Sequence, residues 1–252
     1  MPQLLGTLRR GALAGLLGGL LAGLFGFLLA EPLIDQAVRL EAARTHTPAS
    51  GEVFSRSTQH VGLIAASTAT GVALGALLGV LYAVLHRADP LADPWRRSLT
   101  LGAAAFFGLY LVPFVRYPAN PPGVGDPDTL GSRTAAYLIA VVVGVVGAIV
   151  AGQTADLLRR RGTRASHRQL AVTAVLIGAL AIPFAIPADQ DPLAVPAGLL
   201  WTFRLLAVAT AVVLWGGLTA CFGLLGERAA AHDSAAPPTS HPAANLVKSP
   251  AP

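Results

Sequence analysis

Residues 11–30 read GALAGLLGGLLAGLFGFLLA, an unbroken run without an ionisable side chain. At about 1.5 Å of rise per residue, about 20 apolar residues cross about 30 Å of hydrocarbon, so the run predicts a transmembrane helix. Gly11, Gly15, Gly19 and Gly23 recur at spacings of four, which places them on one helical face and leaves a groove where a second backbone can approach. Arg9 and Arg10 precede the run, as in a secretion signal, but a signal core is usually only about 7–15 residues long. A retained helix is expected.

The rest of the chain repeats the pattern. Hydrophobic residues make up 54 % of the 252 and charged residues 12 %, against about 25 % charged in an ordinary soluble domain; the mean hydropathy is +0.61. Further apolar stretches cover residues 61–85, 98–115, 134–155, 169–188 and 200–226, the fifth span containing Pro183. The expected fold is all-α, a polytopic bundle of about six transmembrane helices. The membrane domain covers residues 1–230, and the Pro/Ala-rich segment 231–252 has the composition of a disordered tail. Ser67, Gly71, Gly75 and Gly79 give the second span a small-residue face like that of the first, and Gly144, Ala148 and Gly152 give one to the fourth. Six spans permit two inverted halves of three, but no pair of segments is alike in sequence. The lone Cys221 excludes an intramolecular disulfide and sits in an apolar run, where it packs.

Arginine placement sets the orientation. Arg9, Arg10, Arg87, Arg96, Arg97, the cluster 159–161, Arg164, Arg168, Arg228 and the single lysine, Lys248, fall on the side of the two termini. The other side holds only Arg39, Arg44, Arg56, Arg116 and Arg133. Both termini are therefore expected in the cytoplasm, in a multi-pass protein of the cell membrane. The pI near 10.1 then reflects topology and lipid contact, not nucleic-acid binding. Glu31, Asp35, Glu41, Glu52, Asp126, Asp128, Asp189 and Asp191 lie outside, giving an acidic outer face.

That face carries the candidate chemistry. EPLIDQAVRLEAAR, residues 31–44, reads as a short interfacial helix with Pro32 in its first turn. Glu31 and Asp35, four apart, share a face and serve either as cap and solvated ion pair or as a cation-attracting mouth. His60 opens the second span, and His46 lies in the connection before it. Imidazole with carboxylate suits Co²⁺, Ni²⁺ or Zn²⁺, although no H-x₃-H or C-x₂-C spacing occurs. In RYPANPPGVGDPDTLGSRT, residues 116–134, Tyr117 is placed for the headgroup level. Pro118 and Pro121 stiffen the chain and Gly125 permits a bend. Asp126 and Asp128 serve either as the turn and cap of the fourth span or as cation ligands at an entrance. Arg204, inside the last span, either snorkels to the interface or pairs with Glu31 or Asp126. Within the spans a path would have to use backbone carbonyls, hydroxyls such as those of Ser67, Thr68 and Thr70, or residues of a partner. No catalytic constellation, cofactor motif or ATP-binding loop is present, so no enzyme activity and no resident cofactor are expected.

The glycine-rich first span running into EPLIDQAVRLEAA, the loop VPFVRYPANPPGVGDPDTLGSRT with its Tyr117, Pro118, Asn120, Pro121 and Gly125, and LLWTFRLLAVATAVVLWGGL around Arg204 together resemble the CbtA family, in the same order over residues 8 to 228. The resemblance implies a cobalt transporter subunit, with Co²⁺ as the ion carried into the cell for cobalamin synthesis. It also implies a small one-span partner with a histidine-rich end, CbtB; a homo-oligomer is a further option. The family is described with about five spans, whereas this sequence reads as six. The alternative function is a non-transporting scaffold or accessory subunit of another transport complex.

Overall fold

The computed structural model describes residues 2–45, 55–86, 93–122, 124, 127–186 and 195–235; His46, Gly125 and Asp126 lie outside them. All regular structure among the described residues is helical. The helices are α1 (Pro2–Leu29), α2 (Glu31–Thr45), α3 (Arg56–Leu85), α4 (Pro94–Phe106), α5 (Val112–Arg116), α6 (Leu130–Arg160), α7 (Ala165–Ala181) and α8 (Ala197–Ala235). A π turn, Phe107–Leu111, joins α4 to α5, making one third span, Pro94–Arg116. Six helices are thus long and apolar enough to cross a membrane.

Their ends follow local chemistry. The Ser55 hydroxyl accepts from the Thr58 amide at the head of α3, and Asp93 accepts from the Trp95 amide, with Pro94 in the first turn of α4. These side chains satisfy N–H groups that the helix leaves orphaned. The π turn answers Pro113, whose ring would clash with the carbonyl four residues earlier in a straight helix and which has no N–H to donate. The chain widens by one residue instead, and the Val112 amide bonds to the Phe107 carbonyl. Gly162, at φ +68°, closes α6 in the left-handed conformation that glycine adopts without Cβ strain. Pro183 ends α7, and Ile182–Ala185 continues as a 3₁₀ turn.

Helices α1, α3 and α8 pack together, the third span packs on α8 and α6, and α6 packs on α7. The bundle is therefore an ordered row: α3, α1, α8, third span, α6, α7. Neighbours run antiparallel, so the start of α1 and the end of α8 lie on one face, the terminal face. The α2 helix and the described residues of the 117–129 connection lie on the other, the loop face. Large side chains on the outside, such as Leu138, Ile139, Val142, Val146 and Ile149 of α6, are at least half exposed. An apolar surface of this extent belongs in lipid.

The smallest residues face inward. The glycine faces of α1 and α3 meet each other. A Cβ on Gly19 would stand 2.5 Å from the Ser67 carbonyl oxygen, and one on Gly71 would stand 2.7 Å from the Gly19 Cα. Lipid tails are as apolar as leucine, so such backbone approach is what holds the pair. In α6 the contact face differs from the expected one. Ala140, Gly144, Gly147 and Ala151 are buried, Gly144 against Gly108 and Gly147 against Ala179, while a Cβ on Gly152 would meet nothing. Because α6 has a neighbour on each side, its contact stripe alternates spacings of four and three. The α8 helix continues to Ala235, four residues past the expected start of the tail at 231, in keeping with the high helix propensity of Glu227–Ala231; residues 236–252 lie outside the described ones.

Candidate functional site

Only Ala30 separates α1 from α2, so Glu31 enters the first turn of α2 directly at the end of the first span. Its carboxylate is held at a helix N-terminus, where negative charge is favoured, and Glu31 is only 7 % exposed. His60, in the second turn of α3, brings Nε2 to 3.1 Å from Glu31 Oε1. The pair is close enough for electrostatic contact but lacks hydrogen-bond alignment, leaving Nε2 buried without a hydrogen-bond partner among the described residues. The imidazole is set edge-on to Phe27 with centroids 5.3 Å apart. Two of the expected ligands are therefore brought together from different helices, 29 positions apart in sequence.

The spacing suits a cation. Two adjacent ligand atoms each about 2.1 Å from a first-row divalent ion lie about 3 Å from one another. Asp35 is half-buried one turn further along α2, and Asp128 is exposed in the 3₁₀ turn Pro127–Thr129. No group of three metal-ligating side chains occurs among the described residues. Thr129, at the head of α6, makes no side-chain capping bond.

From His60 a stripe runs inward along α3. Leu63, Ser67, Thr70 and Leu74 follow it at spacings of three and four and line a cavity of about 450 Å³. The cavity is completed by Ala22 of α1, Leu109 and Tyr110 of the π turn, and Ala207, Thr210, Ala211, Leu214 and Trp215 of α8. Thr70 lies about 15 Å beyond His60 at 1.5 Å per residue, near the middle of a bilayer. Thr210 donates to its own helix at Leu206, which leaves its hydroxyl lone pairs as acceptors. The third residue expected on this path, Thr68, does not line the cavity and donates to the Ile64 carbonyl. Tyr110 is held between Phe106 and Phe114, stacked at 5.6 and 5.4 Å. It reaches the cavity from the π turn, a contribution whose only trace in sequence is Pro113.

The loop residues form a separate cluster. Asn120 Oδ1 accepts from Arg204 Nη2 at 2.9 Å. Among the described residues Arg204 thus meets a neutral amide rather than Glu31; Asp126, its other expected partner, lies outside them. The Arg204 Nε is buried without a hydrogen-bond partner among the described residues, as is the Tyr117 hydroxyl, so Tyr117 is turned into protein rather than towards headgroups. Pro121 is buried and Pro118 half-buried.

Two arginine clamps were not foreseen from sequence. Arg116 donates to the Pro183 and Ile186 carbonyls at 3.2 and 2.9 Å, taking up acceptors left at the end of α7. Its guanidinium lies 5.3 Å from the Tyr117 ring centroid and 5.4 Å from that of Phe184. At the terminal face Arg10 lies 5.2 Å from the Tyr82 centroid and 4.3 Å from that of Phe222. Both distances allow cation–π attraction.

Six apolar helices of membrane-crossing length, lipid-type exteriors and close glycine seams define a multi-pass membrane protein. The chain belongs to the CbtA family: the model for this family, described as a probable cobalt transporter subunit, matches residues 6–227. As a transporter subunit it implies partner subunits. Neither the curated proteins nor the solved structures contain a match.

Proposed function

We propose that this chain is the membrane-embedded subunit of an importer for Co²⁺ or a related divalent transition-metal ion, with both termini in the cytoplasm and the loop face outside the cell membrane. Beside the family membership, the observation that carries this reading is the Glu31–His60 pair, one helical turn along α3 from Leu63, the first residue of that helix to line the hydroxyl-bearing cavity. Imidazole and carboxylate oxygen are suitable ligands for borderline divalent cations. Glu31 and His60 would replace two waters of an arriving ion. Ser67, Thr70 and Thr210 would then offer weak neutral oxygens further in. An ion must bind well enough to enter and weakly enough to leave, and a path without a buried acid beyond Glu31 meets the second condition. The supply of cobalt for cobalamin synthesis, and capture of the metal by a one-span histidine-rich CbtB-like partner, follow from the same reading. So does the absence of a catalytic role.

The test is ⁵⁷Co accumulation in cells lacking other cobalt uptake, expressing this chain with its partner. Accumulation above the empty-vector level is expected, and Glu31→Gln and His60→Ala should each lower it about tenfold or more, the typical effect of losing a ligand-shell group. Unchanged accumulation with the wild-type chain verified in the membrane would refute the transport reading. The alternative, a scaffold subunit, predicts co-purification with a separate permease and no uptake by the pair.

A further inference from the structure

The order of the row is the same when the two halves of the chain are exchanged. Replacing the first, second and third spans by the fourth, fifth and sixth turns α3, α1, α8, third span, α6, α7 into its own reverse. Each half contains three spans, so the second half is inverted in the membrane, the arrangement of an inverted repeat.

The arginine clamps obey the same exchange. Arg10 on Tyr82 and Phe222 ties the second span to the sixth at the terminal face. Arg116 on Tyr117 and Phe184 ties the third span to the fifth at the loop face. Exchange of halves sends the second span to the fifth, the sixth to the third and one face to the other, so each clamp occupies the other's place. The arginine comes from the first span in one case and the third in the other, so the relation is one of position and chemistry, not of aligned sequence.

We infer that the protein is built from two blocks related by a pseudo-two-fold axis in the membrane plane, α1–α3–α8 and third span–α6–α7, which rock about the seam between α8 and the third span. The clamps hold each block together. The seam is unevenly closed. At the terminal-face half a Cβ on Gly223 would stand 2.7 Å from the Trp95 ring, and one on Gly226 would stand 2.9 Å from Pro94. Gly102 is likewise pressed against Thr219. Towards the loop face the cavity separates Leu109 and Tyr110 from Ala207 and Thr210, and beyond it the Arg204–Asn120 bond bridges the two blocks. The structure is the state in which the terminal-face half of the seam is the more tightly packed. Symmetry requires a partner state in which the loop-face half of the seam closes and its terminal-face half opens. An importer needs both states, and the inference deepens the transport reading by supplying them.

The test uses two cysteine pairs in the full chain with Cys221→Ser, in membrane vesicles. Ser98→Cys with Gly223→Cys locks the terminal-face seam. A Cβ on Gly223 lies 3.4 Å from the Ser98 Cβ, close to the disulfide range of about 3.5–4.5 Å, once the Trp95 ring yields. Leu109→Cys with Ala207→Cys reports closure of the loop-face half. Each pair should form a disulfide on oxidation, each disulfide should abolish ⁵⁷Co uptake until reductant restores it, and in a four-cysteine chain closing one pair first should prevent closure of the other. Failure of the loop-face pair to close, closure of both pairs in one molecule, or uptake that continues through either lock would overturn the rocking. Tyr110→Cys with Ala211→Cys repeats the loop-face measurement should the first pair fail to give monodisperse protein. Cross-link yields are read without metal, so mutually exclusive disulfides in a chain that never takes up cobalt would retain the rocking and discard the cobalt reading.

Discussion

Replacing Gly71 by alanine tests the packing principle on which the bundle stands. A Cβ at this position would lie 2.7 Å from the Gly19 Cα and 2.8 Å from its amide nitrogen, and would press still closer on the Gly15 carbonyl. All three obstacles are backbone atoms of a neighbouring helix, so no side chain can rotate away. Ordinary contact between such atoms begins near about 3.5 Å, and α1 and α3 must separate by roughly 1 Å. That gap forfeits up to about half of each van der Waals well along the seam, and overpacking of this kind costs about 1–3 kcal/mol. Gly152→Ala is the matched control: it lies within α6 and a Cβ there meets nothing within 4 Å. Both changes gain helix propensity of about 0.8–1 kcal/mol in their favour, so the difference between them isolates packing. With about 2–4 °C of Tm per kcal/mol for chains of this size, Gly71→Ala should melt roughly 2–12 °C below Gly152→Ala in a detergent thermal-shift assay. Equal melting temperatures for the two variants would refute the close-backbone account of the α1–α3 seam.

Two further outcomes follow from the loop face. Asn120→Ala should destabilise by about 1–3 kcal/mol, because it strips a hydrogen bond from a partly buried guanidinium; Asn120→Asp should hold or raise stability through a charge-assisted bond. Chemical denaturation of both variants, with Arg204→Ala to close a double-mutant cycle, reads the coupling directly. The double change Asp126→Asn with Asp128→Asn should leave ⁵⁷Co uptake within about twofold of wild type, since Asp128 stands at the head of α6, which packs on the third span and α7 rather than on α3; a tenfold loss (about 1.4 kcal/mol) would move the entrance to that loop.

Much of this molecule is legible from the chain alone because lipid simplifies the rules. A helix that satisfies its own backbone is the available solution wherever about 20 apolar residues run together, and six such runs dictated six spans. The glycine spacing in the first two spans announced a groove on each, and the two grooves meet. The same spacing rule misplaced the contact face of the fourth span, because periodicity shows where small residues line up but not how many neighbours a helix has. Glu31 and His60 could be listed separately as candidates from their residue types and position at the span ends.

Their meeting at 3.1 Å was decided only by the tertiary structure: it depends on α1 and α3 packing at backbone distance, which brings the end of one helix beside the beginning of the other. The partners of Arg204, Arg116 and Arg10 were hidden for the same reason. Apart from the Arg116–Tyr117 contact, each lies across a gap of tens of residues, and a buried guanidinium can be met by an amide oxygen, a carbonyl or a ring face as well as by the carboxylate that charge alone would select. The exchange symmetry of the row has no sequence signature at all, since it resides in which helices touch. Composition and periodicity fixed the elements and the solvent they live in; the order of their packing, and with it the ion entrance and the seam, came from the close fit of small residues in three dimensions.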